Sequence, residues 1–401
     1  MRKEKYILMF KNDEVLSFEV TFDEKNSVIL LERLEHFDKA PQGIDGNLTD
    51  EQIGYRLFRF FNVRSIATPR SDYEDILKAT KCKDSFELSF KGHGLSLSNH
   101  YWFKKEDENL KYEDINFFTN KWDDSFARAV LNGDYEALEN VDLNVPDIVT
   151  AGWAVKGWLC EDDGPILCKL GIDKDSPEEV LGEVLASNLA KRLLGEDAVV
   201  GHELRIINGH YASCSRCMID IDEELIPLSF VLPPEITFAS PLSNYSRDNF
   251  DAFLNKLIEF GYNDIYLLFI KIMCLKSLAF VKDFHFDNLS MIKNLNTGLT
   301  HIAPLYDLGG AYGGTKTGRN LLSNMNKGLL FIVYYAYGGL EAKWDYSWYH
   351  PEKMIGFEEE IREILSKSDF YSPLMINNII DVYHHQKETL DGYAKKQLGV
   401  D

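Results

Sequence analysis

The stretch DFHFDN at positions 283–288, followed by APLYD at positions 303–307, carries the strongest chemical signal in this chain. Transfer of a phosphoryl group needs a carboxylate on the acceptor hydroxyl and oxygen ligands for Mg²⁺, and the two stretches supply such side chains. We expect Asp283 to orient the hydroxyl and take its proton, and Asn288 and Asp307 to hold Mg²⁺. The alternative for the first stretch, taken alone, is a solvated loop rich in turn-forming Asp and Asn.

The sequence around these stretches predicts how they would meet. A long apolar helix is predicted over 263–280, and two short strands at 289–292 and 300–302 form a hairpin. The hairpin would return the second stretch towards the first. The glycine-rich positions 309–318 then predict a mobile segment that begins directly after the second stretch.

Two further side chains of the first stretch have less specific roles. His285 would support the loop through a hydrogen bond to backbone or to a carboxylate, and proton transfer is its second interpretation. Asp287 is either a spare metal ligand or, as we expect, a solvated turn residue.

A nucleotide phosphate also needs a cation, and Lys169 is the candidate. It lies among apolar residues in a predicted strand at 166–170, which returns from a strand at 153–160. A lysine buried in such a strand needs an anionic partner. The helix that follows offers Glu183, with Glu179 as the second choice. The alternative is a lysine on a solvent-facing edge strand.

The segment 150–157 is the candidate phosphate loop. No G-x-G-x-x-G motif occurs at this hairpin, but Gly152 and Gly157 permit close approach of the backbone and Lys156 would reach a phosphate.

The order of the predicted elements indicates an α+β fold with a sheet-rich N-terminal region and a mainly helical C-terminal lobe. Residues 1–149, the first part, are predicted to form a mixed α/β region where a partner could dock. Residues 150–226, the second part, would form a nucleotide-binding core, and residues 227–401 a helical lobe that carries the two stretches quoted above.

Local patterns in the first part predict individual elements. Thr49 and Gln52 form a capping-box pattern, so we expect a helix to begin there. The alternation over 86–90 predicts a strand.

Composition limits the classes of protein that this chain can represent. Its net charge of −21 argues against binding of DNA or RNA by its own surface, because contacts to phosphates dominate such affinity. No apolar run approaches the roughly 20 residues that span a bilayer. The six scattered cysteines favour reduced thiols in a cytoplasmic protein, and we expect the C-x-x-C pair of Cys214 and Cys217 to be two strand residues.

The motifs resemble those of the HipA-like serine/threonine kinases, the toxin kinases of bacterial toxin–antitoxin modules. The family's D-x-H-x-x-N catalytic loop matches Asp283, His285 and Asn288, and its P-x-Y-D metal motif matches 304–307. The resemblance implies a bilobal protein-kinase-like fold with ATP and Mg²⁺ as cofactors. It also implies that the phosphate loop, the nucleotide lysine and the helix acid are 152–156, Lys169 and Glu183.

The same resemblance implies partners and regulation. Targets in the family are often translation enzymes such as aminoacyl-tRNA synthetases, and an antitoxin partner binds DNA. Thr150, Thr315 and Thr317 are then candidate autophosphorylation sites, although the loop reads Gly-Trp-Ala-Val-Lys where the family has small residues. Two alternatives stay open: a kinase fold that binds a partner without catalysis, and phosphorylation of a lipid or small molecule.

Overall fold

The first half of the chain mixes strands with helices, and helices dominate the second half. The computed structural model describes residues 2–22, 28–36, 38–44, 46–237, 247–281, 285–314 and 340–399. The strands are β1 (Arg2–Phe10), β2 (Asp13–Phe22), β3 (Val28–His36), β4 (Tyr101–Lys105), β5 (Val155–Glu161), β6 (Gly164–Gly171), β7 (His202–Ile207), β8 (His210–Arg216), β9 (Glu223–Pro227), β10 (Ser290–Asn294) and β11 (Thr300–Ile302). The helices are α1 (Asp50–Asn62), α2 (Tyr73–Thr80), α3 (Ser85–Lys91), α4 (Tyr112–Ile115), α5 (Ser125–Asn132), α6 (Glu178–Leu194), α7 (Leu228–Val231), α8 (Pro234–Thr237), α9 (Arg247–Glu259), α10 (Asn263–Ala279), α11 (Phe357–Leu365) and α12 (Pro373–Leu398).

The first sheet has the strand order β3-β2-β1-β4, and α1 packs on its apolar face. This helix begins as the capping box predicts. Thr49 Oγ1 accepts a hydrogen bond from Gln52 N at 3.3 Å, and Gln52 Oε1 accepts one from Thr49 N at 2.9 Å. The two bonds satisfy amide groups that a helix start leaves without a partner. The predicted helix is confirmed.

The strand predicted at 86–90 is wrong, because α3 covers this segment. Asp84 caps the helix by accepting a hydrogen bond of 2.7 Å from a backbone amide of its first turn. Ser85 and Ser89 are buried one helical turn apart. These small polar residues belong to the buried face, which is why the apolar residues alone showed an alternation typical of a strand.

The second sheet has the order β5-β6-β8-β7, and its two faces are covered by different parts of the chain. On one face, Ile166 and Cys168 share an apolar core with Phe126 of α5. Gly157 of β5 approaches α5 so closely that a Cβ added to it would lie 2.8 Å from Ala127 Cβ. Helix α6 covers the other face.

The mainly helical part has its own core. Helix α6 contributes its apolar side chains to this core together with α9, α10, α11 and α12, so it lies between the second sheet and the helical part. A third sheet of order β11-β10-β9 joins the hairpin of β10 and β11 to the end of the second part. The α+β class is confirmed. The division at 149/150 and 226/227 stays a prediction.

No helix in the described ranges combines the length and the apolar character needed to cross a bilayer.

Candidate functional site

Lys169 lies on β6, which pairs with β5 on one side and with β8 on the other. Its side chain is 12% exposed, and its Nζ donates hydrogen bonds to Glu183 Oε1 and to Asp307 Oδ1, both at 2.7 Å. The alternative of a solvent-facing edge lysine is therefore wrong. Glu179 instead accepts a hydrogen bond of 2.9 Å from the backbone N of Ile172.

The charges of this cluster stabilise one another. Burial would lower the pKa of Lys169, but the carboxylates of Asp307 and Glu183 outweigh it and raise this pKa above its usual range. Burial would raise the pKa of Asp307, but Lys169 and Lys156 outweigh it and hold this pKa well below its usual range. The pKa of Glu183 is lowered against its burial, mainly by Lys169. At neutral pH the cluster thus holds one buried cation between two carboxylates.

Lys156 brings a second cation to the same place. It lies on β5 in register with Lys169 on β6, and it is 9% exposed. Burial, and then the charge of Lys169, lower the pKa of Lys156 to about 8. Like charges opposite one another on paired strands are destabilising. Asp307 and Glu183 raise the pKa of Lys156 but do not outweigh burial and Lys169, so a further anion beside Lys156 would be favourable.

The turn before β5 bends back over Lys156. Gly152 has a φ of +96°, and a Cβ added to it would lie 2.8 Å from Lys156 Nζ. Both the backbone conformation and the close approach favour glycine here. Of the two glycines predicted to admit a phosphate, Gly152 lies at the cluster, whereas Gly157 serves packing against Ala127.

Asp147 holds this turn and was not predicted. Its Oδ1 accepts a hydrogen bond from Trp158 N, and its backbone O accepts one from Thr150 Oγ1, both at 2.7 Å. Burial raises the pKa of Asp147 to about 7, and its Oδ2 has no hydrogen-bond partner in the described part of the chain. Thr315 and Thr317, the other candidate autophosphorylation sites, lie outside the described residues.

Asp307 reaches the cluster from the helical part, at the end of the β10–β11 hairpin. Leu305 forms a parallel bridge with Val199, and backbone hydrogen bonds of 2.9 Å flank this bridge. Asp307 itself has a left-handed backbone with a φ of +57°, which Asp tolerates better than most residues. Although the surrounding protein partly desolvates this carboxylate, its side chain is 42% exposed and remains accessible to a ligand.

The loop of the first stretch is described from His285 onward, and Asp283, the predicted base, lies outside the described residues. The backbone O of His285 accepts a hydrogen bond from Asn288 N at 3.0 Å, and Asn288 is 9% exposed. Asp287 accepts a hydrogen bond from Ser229 Oγ at 2.5 Å and is half-exposed, which supports its interpretation as a turn residue.

Tyr306 ties the two stretches together. Its OH donates to the backbone O of Asp287 at 3.1 Å and forms a hydrogen bond of 2.6 Å with Ser290 Oγ. Because Tyr306 directly precedes Asp307, these bonds fix the approach of that carboxylate to the loop. The His285 ring lies beside the first stretch's own carboxylate, with Nδ1 4.0 Å from Asp287 Oδ2.

The segment 308–314 differs from the predicted mobile segment. All of its residues are buried. A Cβ on Gly182 of α6 would lie 2.5 Å from the backbone O of Ala311, and Tyr371 OH donates to the backbone O of Tyr312 at 3.0 Å. Over these residues, the glycines permit close packing against α6. The remainder of the predicted segment, 315–318, lies outside the described residues.

Within the described ranges, no group of three or more His, Cys, Asp or Glu side chains is arranged to hold a metal ion. Mg²⁺ bound together with phosphates needs only one or two protein ligands. The carboxylate of Asp307 and the carboxamide of Asn288 are oxygen donors of the kind that Mg²⁺ prefers. The residues present therefore fit this ion.

Comparison with known proteins gives matches among solved structures. No family model and no curated protein matches the chain. The proinflammatory kinase CtkA of Helicobacter pylori is similar over 61% of this chain and 94% of that chain, with 12% identity and a TM-score of 0.39. HipA of a Shewanella oneidensis MR-1 toxin–antitoxin system, solved with HipB and operator DNA, is similar over 98% of this chain and 97% of that chain, with 12% identity and a TM-score of 0.46.

The chain is similar to HipA-like kinases in its motifs. A strand lysine that contacts both a helix glutamate and an aspartate, as Lys169 contacts Glu183 and Asp307, is the arrangement of a kinase-like fold.

Proposed function

We propose that this protein is an ATP- and Mg²⁺-dependent kinase that transfers the γ-phosphate of ATP to a serine or threonine hydroxyl of a protein. The observation that carries the proposal is the pair of 2.7 Å hydrogen bonds from Lys169 to Glu183 and to Asp307. In phosphoryl transfer, such a lysine contacts the nucleotide phosphates, the helix glutamate orients it, and the aspartate holds the metal ion.

The phosphate side of the proposal rests on Lys156 and Lys169. Two lysines in register on paired strands, both mostly buried, are stabilised by an anion placed between them. The turn at Gly152 brings backbone close to the same place. The triphosphate of ATP would be the anion that contacts both lysines.

The metal side rests on Asp307 and Asn288. The lowered pKa of Asp307, which Lys169 holds down against burial, keeps its carboxylate ionised and available. When bound, Mg²⁺ would neutralise charge on the phosphates. Asp283 would orient the acceptor hydroxyl and take its proton, and His285 would support the loop beside it.

The choice of partners comes from the resemblance of the motifs. It extends the proposal to a translation enzyme as the protein target and to an antitoxin as a binding partner. That the acidic chain does not itself contact nucleic acid stays a prediction, as does its place in the cytoplasm.

The test is transfer from γ-³²P-labelled ATP with Mg²⁺, with protein extract, lipids and small molecules offered side by side. We expect label on protein serine or threonine, and its loss when EDTA removes the metal. The variants Asp307→Asn and Asp283→Gln should lower transfer by roughly 10³-fold or more, and Asp283→Gln should still bind nucleotide. Asp197→Asn, at an exposed position on the turn after α6, is the matched control and should transfer normally.

Three outcomes contradict the proposal in different ways. Label found only on lipid or small molecules would assign a different acceptor. A thermal shift with Mg²⁺-ATP but no transfer to any acceptor would indicate a kinase fold that acts by binding. If Mg²⁺-ATP caused no thermal shift and no acceptor were labelled, the proposed nucleotide site itself would be contradicted.

A further inference from the structure

His202 lies behind the Lys169–Glu183 pair, at the start of β7. The residue is 7% exposed, and its Nδ1 forms a hydrogen bond of 2.8 Å with Ser213 Oγ on the neighbouring strand β8. Ser213 is in register with Lys169 on β6. His202 pairs with Ser215 and reaches Ser213 diagonally, so the three side chains lie together on the face that α6 covers.

The same imidazole lies beside the second oxygen of Glu183. Glu183 Oε1 accepts from Lys169 at 2.7 Å, and His202 Nδ1 lies 3.8 Å from Glu183 Oε2. The side chains of Glu183 and His202 are each 3% exposed. In the described part of the chain, the carboxylate therefore has a cation on one oxygen and an imidazole next to the other.

Backbone contacts fix His202 against α6 as well. Its backbone N donates to Ser187 Oγ at 3.2 Å, and Ser187 Oγ donates to the backbone O of Val200 at 3.0 Å. Ser187 lies one helical turn after Glu183 on α6. The start of β7 is thus joined by polar contacts to the part of α6 that presents Glu183.

Packing alone does not account for a histidine here. Its Nε2 is buried and has no hydrogen-bond partner among the residues that the structure describes. A buried polar atom without a partner costs on the order of 1–3 kcal/mol. A leucine would avoid this cost but would leave the buried Ser213 Oγ without its partner, whereas a leucine with an alanine at position 213 would avoid both, so packing alone does not call for the imidazole.

We propose that His202 is a positioning residue that holds Glu183 against Lys169 while the nucleotide phosphates compete for the lysine. When Lys169 shares its charge with phosphate, a buried carboxylate that loses its partner is strongly destabilised. The ring of His202, which is neutral because burial lowers its pKa, then remains beside the other oxygen, with Nδ1 3.8 Å away. The inference rests on the proposed nucleotide site for its role in binding, but the contact itself can be tested without nucleotide.

The test compares His202→Leu, which removes the polar group, with His202→Asn, which keeps a polar group near the position of Nδ1. His210→Leu is the matched control, because His210 lies in the same sheet, on β8, and contacts the backbone of Lys174. The first readout is trace acetylation of lysines by acetic anhydride, followed by mass spectrometry, without nucleotide. We expect Lys169 in His202→Leu to react at least about threefold faster relative to the exposed Lys353, and Lys169 in the other two variants to react as in the wild type.

The second readout is the dissociation constant of Mg²⁺-ATP measured by calorimetry. We expect about a tenfold weaker affinity in His202→Leu and less than a threefold change in His202→Asn and His210→Leu. The inference is overturned if Lys169 labelling is unchanged in His202→Leu, or if His202→Asn behaves like His202→Leu. Faster labelling of all lysines would indicate general loosening of the fold and would also overturn it. If the wild type does not bind Mg²⁺-ATP, the proposed function fails, whereas the labelling still decides the role of His202.

Discussion

The two faces of the β5-β6-β8-β7 sheet differ in chemistry although their residues alternate along the same strands. On β6, Cys168 and Leu170 are 0% and 1% exposed and belong to the apolar core shared with α5. Lys169, between them, faces α6 and contacts Glu183. Because successive residues of a strand point to opposite sides, one strand serves both a packed core and a charged cluster.

The two faces also differ in what they contribute to stability. The apolar face stabilises the fold by removing apolar surface from water, about 25 cal/mol for each Å². The charged face has to offset the desolvation of Lys169 and Glu183, and well-packed apolar residues in place of such a pair are often as stable or more so. Stability therefore accounts for one face, and binding of a ligand is the better account of the other.

The largest expected effect separates the faces at neighbouring positions. Lys169→Met should lower phosphoryl transfer by roughly 10³-fold or more, because the phosphates lose their cation and Glu183 loses its partner. Cys168→Ala should cost roughly 1–2 kcal/mol of unfolding free energy and leave kcat and KM for ATP within twofold. Urea denaturation and steady-state kinetics of both variants measure this. Equal losses of activity in both would show that the faces are not functionally distinct.

The next effect concerns how α6 is held over the charged face. Gly182→Ala places a Cβ 2.5 Å from the backbone O of Ala311, so α6 or the segment 308–314 has to move, and Glu183 moves with the helix. We expect kcat/KM for ATP to fall by roughly 10- to 100-fold, since small displacements of positioned groups have effects of this size.

Gly392→Ala on α12 is the matched control for this variant. Apart from the backbone of α12 itself, no atom lies within 4 Å of a Cβ at this position, so the change should raise the free energy of unfolding by about 0.5–1 kcal/mol without affecting kinetics. A fully active Gly182→Ala protein would contradict the view that close packing of 308–314 fixes the charged face.

The sequence predicted those contacts of the charged face whose partners lie close together in the chain. Lys169 in an apolar strand demands a partner, and the next helix is the nearest element that can offer Glu183. The return of Asp307 towards the loop followed from a hairpin short enough to see in the pattern. The catalytic and metal-binding roles of Asp283, Asn288 and Asp307 themselves stay predictions.

Other parts of the site could not be predicted, because they depend on contacts between distant segments. His202 meets Glu183 only through the register of β6, β8 and β7, which no local pattern specifies. A glycine-rich sequence such as 309–318 is compatible with a mobile segment or with close packing. The contact between Gly182 and Ala311 shows close packing over the described part of it. Asp147 lies in a polar, acidic stretch of the sequence, and no local pattern there indicates that its side chain is buried.

A smaller effect is expected at Asp147, which lies in a segment that packs on the apolar face of the sheet. Burial raises the pKa of Asp147 to about 7 from its usual 3.8, so the folded state holds this proton more tightly than the unfolded chain. The unfolding free energy should therefore fall as pH rises towards 7, by about 2 kcal/mol between pH 5.5 and 8. Asp147→Asn should lack this part of the fall. Urea denaturation at both pH values measures it, with Asp142→Asn at an exposed position as control; equal pH dependence in the wild type and Asp147→Asn would contradict it.

The smallest effect distinguishes the two lysines of the charged face. Burial and the charge of Lys169 lower the pKa of Lys156 to about 8, whereas Asp307 and Glu183 raise the pKa of Lys169 against its burial. A bound phosphate favours the charged form, so above pH 8 binding has to add a proton to Lys156. The dissociation constant of Mg²⁺-ATP should then rise by up to about tenfold for each pH unit.

Two variants decide whether Lys156 is the group responsible. Lys156→Arg keeps its charge at every accessible pH, so its affinity should stay constant up to about pH 9.5. Lys156→Met should bind Mg²⁺-ATP more weakly than the wild type at pH 7.5 and show no further loss at higher pH. Calorimetric titrations from about pH 7.5 upward avoid protonation of ATP itself. A wild-type profile that stays flat across this range would mean that Lys156 does not touch phosphate, and Lys169 would then be the cation of the charged face that binds the nucleotide.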